Sequence, residues 1–473
     1  MPIDLSPEEF RRLGYRAVDM LADRLQHLHE LPVRQPVPLD LREKMLHQPV
    51  PEDAADVDAL MERIQNDILP YPMGNSSSRF FAWVNSPPAP LGIIAEFLAA
   101  GHNASVAGGD HAATYIEHAV LKWLKTLLNF PTDSGGLLCS GGSVANIIAL
   151  SVMRHVKAQG DMRAHGFNGE SAPMVVYTSA QGHSCIQKAI ELLGIGNDYL
   201  RHIPVNDRYE MDIAALKTQI AADRAAGLHP VCVAASAGTV NTGAIDPLND
   251  LADICEQENL WLHVDGAYGG VGVLANPDLY AGMERADSLA IDPHKWLYMP
   301  VECGCVFVRD EAKMRETFSV IPPYLRDDRD MPWFSEYGIQ QTRGFKALKL
   351  WLVIQHIGVD GFRELIQHDI LMAKTLQAKI QQHPDFELIA AGELSITCFR
   401  YAPAGIPAEQ LDDLNRDLAL TIQREGQAFL TTTLLNNQRV LRVCIVNFRT
   451  TDTDLDILLN VLAETGLRLL VKN

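Results

Sequence analysis

From about residue 80 to residue 350, short apolar runs rich in β-branched residues alternate with stretches of helical periodicity, and this alternation narrows the possible folds more than any other feature. The runs fall at 174–178, 231–235, 260–264, 288–291 and 305–308. Strands separated by helix-length segments pair in parallel through crossover helices, so the pattern predicts an α/β protein built on a large, mostly parallel sheet. In such sheets ligands lie beyond the carboxyl ends of the strands, which directs attention to the residues that follow each run.

The flanks of this region read differently. Ser6-Pro7-Glu8-Glu9 combines an N-cap, a proline in the first turn and a capping-box glutamate, and opens a helix with Phe10, Leu13, Ala17, Val18, Leu21 and Leu25 on one face. The stretch 31–51 is proline-rich and weakly periodic. Residues 1–79 are therefore expected to form an N-terminal helical arm, a dimerisation segment of the kind that crosses to a partner subunit. Residues 80–352 make the large domain. Residues 353–473, where helices alternate with strand-like runs at 386–390, 395–399 and 440–446, make a small α+β domain. At 473 residues the chain exceeds one ordinary core and has room for a deep active site.

A formal charge of −19 disfavours phosphate backbones and anionic lipid, so nucleic-acid and membrane partners are not expected. Residues 1–9 carry no basic segment followed by an apolar one, and no later stretch is long and apolar enough to span a bilayer. The eight cysteines are scattered, and the one close pair, Cys303 and Cys305, has no second pair nearby to complete a zinc site. The expectation is a cytoplasmic protein without a metal.

Four stations carry chemistry. Lys295 follows the run 288–291 in Asp292-Pro293-His294-Lys295-Trp296. A sheet-end cleft offers the burial or neighbouring cations that lower the pKa of an ε-amine and make it nucleophilic towards an aldehyde. Asp265 ends the run 260–264 and is followed by small Gly266 and Ala267, leaving room for a flat ring whose protonated nitrogen the carboxylate would hold. His183 follows the run 174–178 and is placed to stack on such a ring. Ser134 to Asn146 is a glycine-rich turn feeding a helix that begins near Ser143, where free N–H groups and the helix dipole favour a phosphate. It matches neither GxxxxGK[ST] nor GxGxxG, which disfavours a nucleoside triphosphate or dinucleotide. Each station alone has a plainer reading: a solvated lysine, a turn-capping aspartate, a hydrogen-bonded loop histidine, an ordinary glycine turn.

With the four in this chain order, the sequence resembles the pyridoxal phosphate (PLP)-dependent group II amino-acid decarboxylases, particularly the aromatic-L-amino-acid decarboxylases. The resemblance runs from the N-terminal helix almost to the C-terminus. It is most specific at HVDGAY (263–268), DPHKW (292–296), the Gly-His-Ser around His183, and Pro323-Tyr324-Leu325 followed by RGFKALKLW (343–351). The resemblance implies PLP fold type I, the aspartate-aminotransferase-like architecture, with 80–352 as the PLP-binding domain and a homodimer whose active site lies at the subunit boundary. It implies that Lys295 holds PLP as a Schiff base, that Asp265 binds the ring nitrogen and that His183 and Ala267 sandwich the ring. Gly142, Ser143, Asp292 and His294 fall where the family binds phosphate, and Thr239 matches a position near the cofactor. Tyr324 matches a mobile-loop tyrosine that protonates the substrate Cα after carbon dioxide leaves. The following Arg326 to Asp330 has the low apolar content of a lid that orders over substrate. Trp83, Val84, Asn85 and Ser105 fall in the substrate pocket.

Departures from the family pattern are also visible. Gly141-Gly142-Ser143 replaces a typical Ser-Ala-Ser, and Asp292 stands where many members have Asn. The segment 80–87 differs from the usual Tyr-Phe-Pro-Thr run, and Ser105 falls near a position usually held by Phe. The activity implied is decarboxylation of an L-amino acid, with tyrosine, DOPA, tryptophan and phenylalanine as the aromatic candidates. The rivals are an aminotransferase, for which Arg400 and Arg442 would be candidate carboxylate clamps, an aldehyde-forming decarboxylating deaminase, in which the loop tyrosine is often Phe, and a non-catalytic relative.

Overall fold

A computed structural model describes residues 3–167, 172–320 and 331–472. The arm opens as its sequence dictates: the helix Pro7–Gln26 starts on Ser6, whose side chain accepts from the Glu9 N–H at 3.2 Å.

Seven strands form the large sheet: β1 (Gly135–Cys139), β2 (Met174–Ser179), β3 (Leu200–Ile203), β4 (His229–Ser236), β5 (Trp261–Asp265), β6 (Ser288–Ile291) and β7 (Gly304–Val308). Their order is β1-β7-β6-β5-β4-β2-β3, and β7 alone runs against its neighbours β1 and β6. Every residue of β2, β5, β6 and β7 is buried, because helices cover both faces, and such strands read as continuous apolar runs. The predicted parallel sheet is thus present, enlarged by β1 and β3. Gly304 lets β7 pass against the backbone of Gly141; a Cβ there would lie 2.5 Å from Gly141 Cα.

A second sheet, ordered β10-β11-β9-β8, contains β8 (Phe386–Ala391), β9 (Ile396–Tyr401), β10 (Thr431–Leu435) and β11 (Gln438–Cys444). Helices Ala408–Glu425 and Asp452–Lys472 pack on it, and Ala373, Leu376 and Ile380 of helix Ala347–Gln382 join the same core. Helix Ala347–Gln382 passes from one sheet to the other and bends at Gly358, whose φ of 67° lies outside the helical region. The boundary expected at 352/353 falls inside this helix, ahead of the bend. The stretch at 80–82 also leans towards the smaller sheet: Phe81 donates to Phe429 O at 2.7 Å, accepts from the Cys444 N–H at 2.9 Å, and is buried in that core.

Arg343, first residue of the RGFKALKLW segment, is a buried staple. Its guanidinium donates to Val106 O at 2.7 Å and Leu138 O at 2.6 Å and pairs with the buried carboxylate of Glu117. It therefore fixes β1, the helix Ala112–Leu127 and the segment around Val106 as one body.

Candidate active site

The carboxyl ends of β4, β5 and β6, the loop after β2 and the start of helix Gly142–Lys157 surround one cavity of about 650 Å³. Lys295, Asp265, His183, Ala267, Thr239, Asp292, His294, Gly142 and Ser143 all border it. Residues that lie far apart in sequence meet there because parallel strands end on the same edge of the sheet.

Lys295 sits in the turn after β6, with Nζ 3.0 Å from Asp292 Oδ2. The turn is held from below by buried Asp369, which accepts from Trp296 Nε1 at 2.9 Å and from the Tyr298 hydroxyl at 2.6 Å, while Trp296 stacks on Tyr268. Burial alone pulls the Lys295 pKa down, but Asp292 and, beyond it, Asp265 outweigh burial and raise it above the ordinary lysine value. The lowered value expected of a sheet-end cleft is not found, because a carboxylate three residues earlier in the chain turns back onto the ammonium.

Asp265 is 8% exposed, and its Oδ1 accepts from the Ala267 N–H at 3.1 Å. His183 caps the helix Ser184–Leu192, its Nδ1 accepting from the Cys185 N–H at 3.1 Å, which leaves its proton on Nε2. Thr239 is buried, with Oγ1 accepting from the Ala244 N–H at 3.1 Å. His294 bonds through Nδ1 to Cys303 O at 2.7 Å.

The cavity suits a flat, phosphorylated ring. No side chain caps the start of helix Gly142–Lys157, so its first N–H groups are available to an anion. A Cβ at Gly142 would lie 2.8 Å from Asp292 Oδ2 and 3.1 Å from Ala267 Cβ, so this wall admits only a hydrogen. Buried Asp292 Oδ1 has no hydrogen-bond partner among the described residues. Asp292 thus lies between the start of helix Gly142–Lys157 and Lys295.

Three of the four expected pocket residues, Trp83, Val84 and Asn85, border the cavity. Ser105 does not: it is exposed, on a segment that Val106 holds against Arg343. Tyr324 and the expected lid, Arg326 to Asp330, lie outside the described residues. Of the two candidate arginines, Arg442 reaches the cavity and Arg400 instead pairs with Asp412. Arg442 Nε donates to Val240 O at 2.8 Å and Nη1 to Trp83 O at 3.0 Å, while buried Nη2 has no hydrogen-bond partner among the described residues. Thr431, Thr432 and Thr433 of β10 form a polar wall that the sequence reading did not anticipate.

Comparison with known proteins identifies the family. The model of the pyridoxal-dependent decarboxylase conserved domain matches residues 38–402. An aromatic-L-amino-acid decarboxylase of Bacillus atrophaeus is 37% identical over 96% of this chain and 94% of its own length. A phenylacetaldehyde synthase of Petunia hybrida is 32% identical, covering 93% of this chain and 91% of its own. The crystal structure of Oryza sativa TDC with PLP and tryptamine superposes with a TM-score of 0.91 at 27% identity, covering 98% of this chain and 99% of that one.

Proposed function

The chain belongs to the pyridoxal-dependent decarboxylase family, and on that premise we propose how its residues divide the work of decarboxylating an aromatic L-amino acid to the amine and carbon dioxide. The observation that carries the assignment is the convergence of Lys295, Asp265, His183, Ala267 and the Gly142–Ser143 helix start on one cavity.

PLP, when bound, supplies a ring that accepts the electron pair left as the bond between Cα and the carboxylate breaks. Lys295 would be the attachment point, its Nζ serving as the nucleophile towards an aldehyde. Asp265 would hold a proton at the ring nitrogen. His183 and Ala267 bracket the two faces, and the N–H groups at Gly142 and Ser143 hold the phosphate. Arg442 offers Nη2 to the substrate; with Nε and Nη1 already committed to carbonyls, it orients a carboxylate without the paired fork of a full clamp. That suits a reaction in which the carboxylate leaves as a neutral molecule, since a tight ion pair would stabilise the ground state more than the transition state. Tyr324 returns a proton to Cα.

Attachment requires the neutral form of Lys295, which Asp292 opposes. Asp292→Asn is expected to lower the Lys295 pKa and to move the pH of half-maximal cofactor association downward. Each unit of fall multiplies the neutral amine about tenfold at pH values below the pKa. Stopped-flow mixing of cofactor with apoprotein across pH reads this directly, and an unchanged profile would contradict the role given to Asp292.

An aldehyde-forming reaction is the second reading, favoured by the similarity to the Petunia hybrida phenylacetaldehyde synthase. Incubation with L-tyrosine, L-DOPA, L-tryptophan and L-phenylalanine, with carbon dioxide, amine, ammonia, aldehyde and keto acid all measured, separates the cases. Amine in step with carbon dioxide is expected. Aldehyde with ammonia would favour the second reading, and keto acid without carbon dioxide would remove both.

A cytoplasmic homodimer with the active site at its boundary completes the proposal. Eight free, buried cysteines support a reducing compartment. Helix Pro7–Gln26 buries none of its residues in this chain, and exposed Phe10 stacks on Phe97, itself 54% exposed, so the arm presents an apolar face fit for a second copy. Exposed Ser105 is then available to the partner's pocket. Light scattering should give twice the chain mass, and a fully active monomer would contradict the assignment.

A further inference from the structure

Running back from Asp265, six side chains from two strands and two helices make an unbroken run of hydrogen bonds. Trp261 Nε1 donates to Ser288 Oγ at 2.8 Å, and Ser288 Oγ lies 2.8 Å from His263 Nδ1. His263 Nε2 is 2.5 Å from Asn146 Oδ1. Asn146 Nδ2 donates to Gly142 O at 2.8 Å and to Cys185 Sγ at 3.3 Å. Cys185 Sγ in turn donates to Asp265 Oδ2 at 3.6 Å. Ser288, His263 and Asn146 are completely buried and Cys185 is 4% exposed, so water does not compete for these bonds.

Two fixed points set the direction of every proton. Indole N–H only donates, so Ser288 Oγ must accept there and has its own proton to give to His263 Nδ1. The carbonyl of Gly142 only accepts, so the amide nitrogen of Asn146 must face it, which turns Oδ1 towards the imidazole and requires a proton on His263 Nε2. Both arguments select the same neutral tautomer. Burial agrees, pushing the His263 pKa down to about 4. Asn146 then donates to the Cys185 sulfur, and the one remaining proton, the S–H, points at Asp265. Reversal at any link would set two acceptors or two donors face to face.

Resting on the cofactor assignment above, we propose that Trp261, Ser288, His263, Asn146 and Cys185 are positioning residues: a one-way hydrogen-bond relay that holds Asp265 as an ionised carboxylate aimed at the ring nitrogen. Through the bond from Asn146 to Gly142 O, the same array fixes the phosphate cradle relative to Asp265. The two ends of the cofactor site are thus joined by one buried network.

The sharpest test pairs two small substitutions at Cys185 in the full-length protein. Cys185→Ala removes the last donor and is expected to weaken PLP binding about fivefold to tenfold, as loss of a hydrogen bond to a charged group does, and to shift the pH titration of the bound cofactor's visible band. Cys185→Ser keeps a donor and is expected to restore both. Alanine and serine variants that behave alike, whether both normal or both impaired, would overturn the relay, since packing alone does not distinguish them in this way. A neutron structure of the full chain gives a readout independent of turnover: deuterium on His263 Nε2 is expected, and deuterium on Nδ1 would overturn the proposal. Failure of the cofactor assignment itself looks different, because unsubstituted protein would then bind no PLP.

Discussion

Lys295→Ala is expected to abolish covalent attachment of the cofactor and to reduce decarboxylation by on the order of 10⁴-fold or more, in line with the loss of other covalent catalytic groups. Asp265, His183, Ala267 and the Gly142–Ser143 turn remain in this variant, so PLP should still be retained non-covalently. The loss therefore falls on chemistry and not on the shape of the cavity. Absorbance spectra before and after borohydride treatment distinguish the two, since only a lysine-linked cofactor is fixed irreversibly to the chain. A Lys295→Ala protein that kept the lysine-linked band would place the attachment elsewhere.

Tyr324→Phe is expected to keep PLP and to lose amine formation by on the order of 10²-fold or more, the usual contribution of a positioned general acid. The substitution removes one oxygen and leaves the ring, so it deletes the proton donor without changing the bulk of the side chain. With dioxygen as the two-electron oxidant, reduced to hydrogen peroxide, substrate consumed by the variant should emerge increasingly as aldehyde, ammonia and carbon dioxide, the products of the rival reading. Chromatography of the products alongside carbon dioxide measurement checks this. Unchanged amine turnover would show that the proton comes from another group.

The residues whose sequence context already pointed to the cavity are those at strand ends. Asp265, His183 and Lys295 follow apolar runs, and the alternation of those runs with helical stretches was sufficient to place their strands in one sheet. What stayed hidden obeyed other rules. The residues Gly-Gly-Leu-Leu-Cys of β1 have no β-branched member and read as part of a turn; their strand exists because β7 offers an antiparallel edge. Strand β3 is only four residues long and carries Arg201 and His202. Strand β10 had a usable signal: Asn436 and Asn437, both at positive φ, stand between two runs as a hairpin turn requires.

The same contrast holds within the site. His263 shares a strand face with Asp265, two residues on, and Asn146 lies one helical turn from Gly142. Those spacings were on the page, but the meeting of strand and helix that joins them is tertiary. The raised pKa of Lys295 has a similar origin. Asp292 was recognised as a departure from the family's Asn, yet its contact with Nζ depends on how the turn closes after β6.

Cofactor attachment at Lys295, opposite the Asp265 carboxylate, is what the proposed function depends on most. Borohydride reduction of the PLP-loaded protein, followed by proteolysis and mass spectrometry, tests the attachment without any assumption about substrate. The phosphopyridoxyl group is expected on the peptide that contains Lys295; the label on any other lysine, or none at all on a protein that binds PLP, would contradict attachment at Lys295.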